Sequence, residues 1–302
     1  MPGMLEYSMG ELGRVGLLEV FRVEAENYPD HVGILCGDII KTKQSYEKIK
    51  SLIGLGLPNI TQEGDVVQTD TVSSLFTGNF YPYKVAMAVE YSHELEYVDQ
   101  YRQVLELQAQ LASTFKAKRN YVAASLDNLG FTATNLGLPP NESLYQTNHA
   151  NGTSPFSNVP STSLPFGPLA IAQMRSDMHQ QLSARGVVMP YNGTIVVTYP
   201  YALEGRSFAM AESERIPTSN NNDKNFARVK FEYVMIDEYS SPTAWFGRYK
   251  PKDKQGKFFL EQMPYDIVKL PMDKRMMHTY LCWEKYCPGW KDAHGTYGSP
   301  GI

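Results

Sequence analysis

The sequence predicts an α+β fold, and three observations carry that prediction. One segment repeats apolar residues at helical spacing over roughly thirty positions. The segment before it alternates its side chains with the period of a strand. A block that mixes both kinds of element follows. The composition permits a folded chain: 302 residues, 42% apolar and 20% charged, can bury one large core or two smaller ones. Tyr outnumbers Phe, 20 to 13, which favours a molecule with much half-wet contact surface. The net charge of −4 supplies no strong basic field for nucleic acid.

The chain opens with "MPGMLEYSMGELGRVGLLEVF", which has no basic n-region and no long apolar run, so no signal peptide is read there. Nothing approaches the roughly 18 consecutive apolar residues of a membrane span. A helix is expected over 9–26, with Leu12, Val15, Leu18 and Val23 on one face, ended by Tyr28-Pro29-Asp30. Residues 31–60 are mixed, and Gly54, Gly56 and Pro58 mark a loop. In 81–91, Tyr81, Tyr83, Val85, Met87, Val89 and Tyr91 face one way and Pro82, Lys84, Ala86, Ala88 and Glu90 the other. Thr77-Gly78-Asn79 reads as a turn. The Thr/Ser/Val-rich stretch before it is expected to pair back, giving a long hairpin over 61–91. An isolated two-stranded ribbon is marginal in water, so it must lean on something else, in this chain or another.

The long helix is expected over 99–130. Tyr101, Leu105, Leu111, Phe115, Val122, Leu126 and Leu129 form its stripe, Asp99 lies at its start and Gly130 serves as its C′ residue. Residues 131–166 are rich in loops. A helix over 168–185 begins at Pro168 and stops at Gly186, with Ile171, Met174, Met178 and Leu182 inward. Then come a buried strand (194–199), a short helix (202–213), a polar tip, a strand (226–239) with Val229, Phe231, Tyr233 and Met235 inward, and another strand (243–249). The last fifty residues carry strands and Gly/Pro-rich ends.

Motifs of catalysis are absent from the sequence. There is no GxxxxGK[ST] or GxGxxG loop, no GxSxG elbow and no HExxH. The six histidines are scattered. His149, in "YQTNHANGTSPFSN", would need an acid and a nucleophile in space to work as a base; the bland alternative is a loop histidine making local hydrogen bonds. Asp237-Glu238 and Glu94/Glu96 read as solvated strand ends. Four sequons, at Asn59, Asn141, Asn151 and Asn192, are glycan acceptors only in a secreted chain and otherwise ordinary turn sequence. Lys116, Lys118 and Arg119 read as a solvated helix face. Cys36, Cys282 and Cys287 are too few and too dispersed for a zinc site and are taken as free thiols. No catalytic, cofactor-binding or metal-binding residue is assigned, and no enzyme activity or cofactor is expected.

The order of elements is more informative than any motif. It resembles the HK97-fold major capsid proteins of tailed phages, especially the subfamily related to the Mu major head subunit. The hairpin at 61–91 resembles the E-loop, and 99–129 the spine helix. "LYQTNHA" (144–150) resembles the segment that opens the second domain there. "GTIVVTYPYALEGRSFAMAES" (193–213), "FEYVMIDEYSSPTAWFGRY" (231–249) and "YCPGWKDAHGTYGSPG" (286–301) resemble its later strand-helix, strand-loop-strand and closing segments. The resemblance spans essentially the whole chain. It implies an HK97-like fold with an N-terminal arm (1–60), an E-loop (61–91), a peripheral P-domain (92–134 and 259–302) and an axial A-domain (135–258). It further implies a subunit that assembles with itself, as hexamers and pentamers, into an icosahedral shell around packaged DNA. That shell would be built in the host bacterial cytoplasm and touch double-stranded DNA non-specifically. Portal, scaffold and decoration proteins are further implied partners, and no membrane is. The short arm implies a separate scaffold or none. Some relatives crosslink a hairpin lysine to a neighbour; Lys84 does not match that site, and no crosslink is expected. Two alternatives are an encapsulin-like shell around protein cargo and a secreted glycoprotein or hydrolase built on the His149 loop.

Overall fold

The computed structural model describes residues 28–63, 66–94, 101–139, 141–152, 154–216, 223–250, 256–272 and 274–302. The helix expected over 9–26 lies outside them. In chain order the elements are α1 (Val32–Cys36), β1 (Asp38–Lys41), β2 (Glu47–Leu52), β3 (Ser74–Phe80), β4 (Tyr83–Ser92), α2 (Tyr101–Asn128), α3 (Pro168–Gln180), β5 (Ile195–Tyr199), α4 (Glu204–Glu212), β6 (Phe231–Met235), β7 (Trp245–Tyr249), β8 (Lys257–Leu270), β9 (Met277–Trp290) and β10 (Thr296–Ser299). They build two four-stranded sheets, ordered β1-β8-β9-β4 and β10-β7-β5-β6, and a separate two-stranded ribbon of β2 and β3. This is the α+β class that the sequence predicts.

The longest apolar stripe becomes the longest helix. α2 runs for 28 residues, roughly 42 Å at 1.5 Å per residue. Leu111, Phe115, Val122 and Leu126 are buried along it. Leu129 falls beyond its end and is exposed. Gly130 follows, but not in the left-handed conformation expected of a C′ glycine. Its role is close approach: a Cβ there would sit 2.5 Å from the ring of Tyr145. α3 stops at Gln180, short of Gly186, because Gln181 turns extended. Its side-chain oxygen accepts from Tyr191 Oη at 3.1 Å and from the Gly295 amide at 3.0 Å. A tertiary demand ends this helix, not a glycine.

The hairpin is where sequence and structure part. β4 does not pair back on the residues before it. It lies antiparallel against β9, from Tyr83 opposite Tyr286 to Ser92 opposite Met277, as an edge strand of the first sheet. β3 pairs instead with β2, from Glu47 opposite Phe80 to Leu52 opposite Ser74. The ribbon therefore begins at Glu47, inside the stretch read as the N-terminal arm. Thr77-Gly78-Asn79 is strand rather than turn. Gly78 is needed because a Cβ would come within 2.7 Å of the Leu138 side chain. The break falls at Tyr81-Pro82, where proline has no N–H to give to a ladder. Strand alternation was legible in 81–91; its partner, nearly two hundred residues away, was not.

In the second sheet, β5 pairs parallel with β6 and antiparallel with β7. All five residues of β5 and all five of β7 are buried, matching their unbroken apolar runs. The strand expected over 226–239 shortens to Phe231–Met235. A 3₁₀ turn at Phe226–Arg228 precedes it, capped by the Asn225 side chain. Lys230 then takes a φ of 68°, which breaks the strand and leaves Val229 exposed.

One core joins the two sheets. α1, the end of α2, the 144–156 segment, β7, β8 and the end of β9 contribute to it through Leu35, Leu126, Tyr145, Phe156, Phe246, Phe259, Tyr286 and Trp290. A second core lies between α3, α4 and the β5 sheet. At the junction sits a polar cluster. Asp127, near the end of α2, pairs with Lys257 Nζ at 2.7 Å, and both side chains are almost wholly buried. Tyr145 Oη donates to Asp127 Oδ1 at 2.6 Å and Tyr239 Oη to Oδ2 at 3.0 Å. Burial and the neighbouring carboxylate hold both phenols well above the usual tyrosine range. Upstream of α1, His31 Nδ1 meets Glu238 Oε2 at 2.9 Å, and its backbone N–H donates to Asn120 Oδ1 at 3.2 Å. These bonds fasten the start of the described chain to α2.

Candidate assembly surface

The residues that could have made an active site are spent on structure. His149 is 2% exposed. Its Nδ1 lies 3.0 Å from Glu142 Oε2 and its Nε2 3.0 Å from Asn158 Oδ1. Its ring stacks on Phe156 at 4.9 Å, and Phe156 stacks on His294 at 4.0 Å. His294 in turn faces Asp292 and the Leu182 carbonyl. Burial favours the neutral imidazole of His294, but the hydrogen bond and charge of Asp292 outweigh it and raise its pKa. Two histidine–acid pairs thus flank a cavity of about 200 Å³ that Ser51, Leu52 and Phe76 line from the loop end of the ribbon. Among the described residues, neither imidazole is hydrogen-bonded to a hydroxyl or a thiol that could act as nucleophile. The arrangement fastens a loop: Asn158 also holds the Leu144 carbonyl at 2.7 Å.

Asn151 is buried, and its amide donates to the carbonyls of Leu182 at 2.8 Å and Ser154 at 3.2 Å. A glycan at that nitrogen would replace one of its two N–H donors and would not fit in so buried a site. Asn59, Asn141 and Asn192 are exposed. The pair Asp237-Glu238 is split, Asp237 exposed and Glu238 buried against His31. Glu94 is exposed, and Glu96 lies outside the described residues. Cys36, Cys282 and Cys287 are free, and burial pushes their thiols up to about 12, 12 and 11. Lys84 lies over the Trp283 ring at 5.0 Å.

Arg119 corrects the expectation of a solvated basic face. Lys118 is exposed, but Arg119 packs into the first sheet, Nη1 at 2.9 Å from Glu261 and 3.4 Å from Glu284. Its guanidinium also lies 5.3 Å from the centroid of the Phe259 ring. The signal was present in β9, "HTYLCWEKYCPGW". Strict alternation of buried and half-buried positions puts Glu284 on the same inner face as Cys282 and Tyr286. The Glu284 carboxyl is fully buried, and its Oε1 has no hydrogen-bond partner among the described residues. Burial pushes it up to about 7; Arg119 opposes that and Glu261 adds to it. One cation faces two carboxylates, so one of them holds a proton easily. A raised carboxyl pKa stabilises the fold fully below the ordinary glutamate value and loses that stabilisation as pH rises through 7. Glu284→Gln is therefore expected to remove a slope of about 2–3 kcal/mol between pH 4.5 and 7.5, seen as the difference between wild-type and variant unfolding curves across that range. Equal slopes would refute it.

Exposed apolar side chains gather on the ribbon. The loop joining β2 to β3 displays Leu55, Leu57, Ile60, Val66, Val67 and Val72, with Leu52 at its root. Leu57 is 74% exposed, Val66 93%, and Ile60 fully. Among the described residues no core lies beneath them, whereas the base of the ribbon is seated. Phe80 packs edge-on against Phe258 at 4.9 Å, and Ile49 and Phe76 lie against the cluster of Phe80, Leu138, Phe258 and Leu260. Asp70 organises the loop: it accepts from the Gly56 amide at 2.9 Å and the Thr71 amide at 2.8 Å. It also pairs with Arg185 at 3.1 Å. These bonds, the Gly56 amide first, hold its carboxyl below the usual range. A ribbon with a fixed root and an apolar loop uncovered by the other described residues has the surface character that marks interaction sites. Sequence periodicity could not find it, because "LGLPNI" and "DVVQTDTV" follow neither helix nor strand spacing.

Other exposed apolar groups lie on β4 (Tyr83, Met87), on the β8–β9 turn (Leu270, Met272, Met276), and at Tyr201 and Phe208 beside and on α4. No described helix is long and apolar enough to cross a membrane.

No family model matches the sequence, and no curated protein matches it. The fold does match solved structures. The capsid of a native GTA particle aligns with TM-score 0.58 over 90% of each chain, at 11% identity. A virus-like particle from Pyrococcus furiosus aligns with TM-score 0.58 over 94% of this chain and 97% of its own, at 7% identity. The capsid of the Myoviridae phage XM1 aligns with TM-score 0.55 over 90% and 92%, at 10% identity. At such identities the likeness establishes architecture alone, and the architecture of this chain is the HK97-like capsid fold.

Proposed function

We propose that this protein is a major capsid subunit of a tailed phage or a phage-derived particle, a structural protein without catalysis. The observation that carries the proposal is the seated ribbon with its uncovered apolar loop, on a chain whose fold matches shell subunits along almost its full length. An apolar loop of that size is unfavourable in water, and burial against further copies of the chain in a closed, symmetric shell relieves it. The ribbon is then the E-loop, running from about 47 to 80. The first sheet and α2 are the P-domain, and the β5 sheet with α3 and α4 is the A-domain. The order of elements supports a place near the Mu major head subunit-like subfamily. The shell packs as hexamers and pentamers in the virion, and its contact with DNA is non-specific, in keeping with the net charge of −4. Portal, scaffold and decoration proteins are the further partners of such a subunit.

An encapsulin-like shell is the weaker reading, since the matched capsids include those of phages XM1, PhiM1 and GP4. Electron microscopy of the purified protein is expected to show closed particles or ring-shaped capsomers. Particles isolated from the native source should carry nuclease-protected DNA. Monomers under every assembly condition would defeat the shell proposal, and particles holding protein instead of DNA would favour the encapsulin-like one.

A further inference from the structure

We infer that the groove between α3 and the segment leading into β6 seats the phosphate backbone of double-stranded DNA. The inference rests on the shell reading above and names the surface through which such a subunit touches the shell's contents. The groove holds about 680 Å³. Among the described residues its wall carries five cations, Arg175 of α3 with Arg215, Lys224, Arg228 and Lys230, and one carboxylate, Glu214. A chain with a net charge of −4 thus gathers positive charge in one concave place. Glu214 lies 3.5 Å from Arg228, and both side chains are well exposed, so this pair binds weakly. Asp223 adjoins Lys224 in the chain but does not line the groove. Glu232, two residues beyond Lys230, pairs with Lys250 at 2.5 Å. Arg175, Lys224 and Lys230 make no ion pair or side-chain hydrogen bond among the described residues. Residues 217–222, outside the described ones, read Pro-Thr-Ser-Asn-Asn-Asn and add no charge.

The backbone presents these cations on a fixed frame. Asn225 is 5% exposed, and its Nδ2 donates to the carbonyls of Met210 at 2.8 Å and Ser213 at 2.9 Å. Its Oδ1 accepts from the Ala227 amide at 3.0 Å. The stretch bearing Lys224 and Arg228 is thereby tied to the end of α4. Lys230 is held in a left-handed conformation that a side chain disfavours, and its carbonyl accepts from the Ile195 amide at 2.9 Å. Such conformations persist only where the surroundings impose them, and they gather at binding positions. Phosphate oxygens are the fitting ligand for guanidinium forks flanked by ammonium groups. The amide in the wall, Asn225, is spent on the chain's own backbone, so it is not free to read base edges. One half-buried ring, Phe226, is no platform for the splayed bases of a single strand. The contact is therefore with the duplex backbone and blind to sequence.

The test is fluorescence anisotropy of a short labelled DNA duplex with the unassembled full chain, across a range of salt concentrations. Each phosphate contact contributes about −0.9 to the slope of log affinity against log salt, so the three unpaired cations supply about −2.7. That is a loss of roughly 40-fold in affinity between about 50 and 200 mM salt. Arg175→Gln/Lys224→Gln/Lys230→Gln is expected to flatten the slope by about 2.7 and keep the wild-type circular dichroism. Lys224 and Lys230 are exposed, so if the triple variant fails to fold, Lys224→Gln/Lys230→Gln should still flatten it by about 1.8. Lys48→Gln/Lys50→Gln, two exposed lysines of the ribbon, should leave the slope unchanged. The inference fails if the groove variants keep the wild-type slope, or if the ribbon variant flattens it as much. Groove variants that bind DNA normally but no longer assemble would assign the groove to an acidic face of a second copy. Calorimetric binding of inorganic tripolyphosphate without binding of the duplex would make its ligand a small free anion and also overturn the inference. Anisotropy needs no particles, so a chain that never forms shells defeats the shell proposal and leaves this result readable on its own.

Discussion

Serine at Leu55, Leu57, Ile60, Val66, Val67 and Val72 is expected to abolish particles and leave folded, unassembled subunits. All six side chains are exposed in the single chain, so the free subunit loses little by their removal. Substitutions of that kind usually stay within about 0.5 kcal/mol. The contact loses far more. Burying an aliphatic side chain is worth about 1.5 kcal/mol or more, so six amount to roughly 9 kcal/mol for each docking event. That exceeds the roughly 8 kcal/mol of a micromolar association. Size-exclusion chromatography and negative-stain microscopy should show small species, with a thermal midpoint close to that of unassembled wild type. Shells that persist would remove the loop from the interface.

The strand pairing decides how this experiment must be built. If 61–91 were one free hairpin, deleting 64–88 would be the natural test. But β4 begins at Tyr83 and pairs with β9 along its full length. Cutting to residue 88 would tear a strand from the first sheet, and lost assembly would then report only lost folding. Surface substitutions in the 53–73 loop avoid that confusion.

This also marks the boundary of what the sequence could reveal. Period and run length are local properties, and they located α2, β5, β7 and the alternation of β4 to within a few residues, while β9 was read only as part of a strand-bearing C-terminal stretch. Partnership is a property of the whole chain. β4 could find a partner at 65–77 or at 277–290, and nothing in its own residues distinguishes them. The glycines carry the same lesson. Gly78 and Gly130 read as turn and cap, yet at each a neighbour's side chain passes where a Cβ would stand. The His149 loop was legible as a connection with local hydrogen bonds, since its residue types favour turns. That Glu142 and Asn158 hold the imidazole follows only from the folded loop. The docking surface was the least legible feature of all. An exposed leucine differs from a buried one only in what lies around it.

The polar junction tests how the two sheets are held together. Asp127→Ala is expected to destabilise the unassembled subunit by about 3–5 kcal/mol, the range for removing one partner of a buried pair. Three consequences of the geometry combine there. Lys257 would be left without its ion-pair partner in a site from which water is excluded. Tyr145 and Tyr239 would each lose the acceptor of a buried hydroxyl, although Tyr239 keeps Thr198 at 2.6 Å. A cavity would open at the end of α2. A carboxylate in the last turn of a helix also faces the negative end of the helix dipole, so Asp127 depends on Lys257 in return. Lys257→Met should therefore be costly alone, and the double variant Asp127→Leu/Lys257→Met less costly than the sum of its parts. A double-mutant cycle by denaturant unfolding should give a coupling of roughly 2–3 kcal/mol. If Asp127→Ala costs less than about 1 kcal/mol, the pair is not what fixes the junction, and the surrounding apolar core suffices. A fold with about 5–15 kcal/mol in total can lose a third of it here. That loss would act on folding before assembly, as less soluble subunit rather than malformed shells. The ribbon variant has the opposite signature, a stable subunit that does not assemble, so the two experiments together separate the residues that make the subunit from those that make the shell.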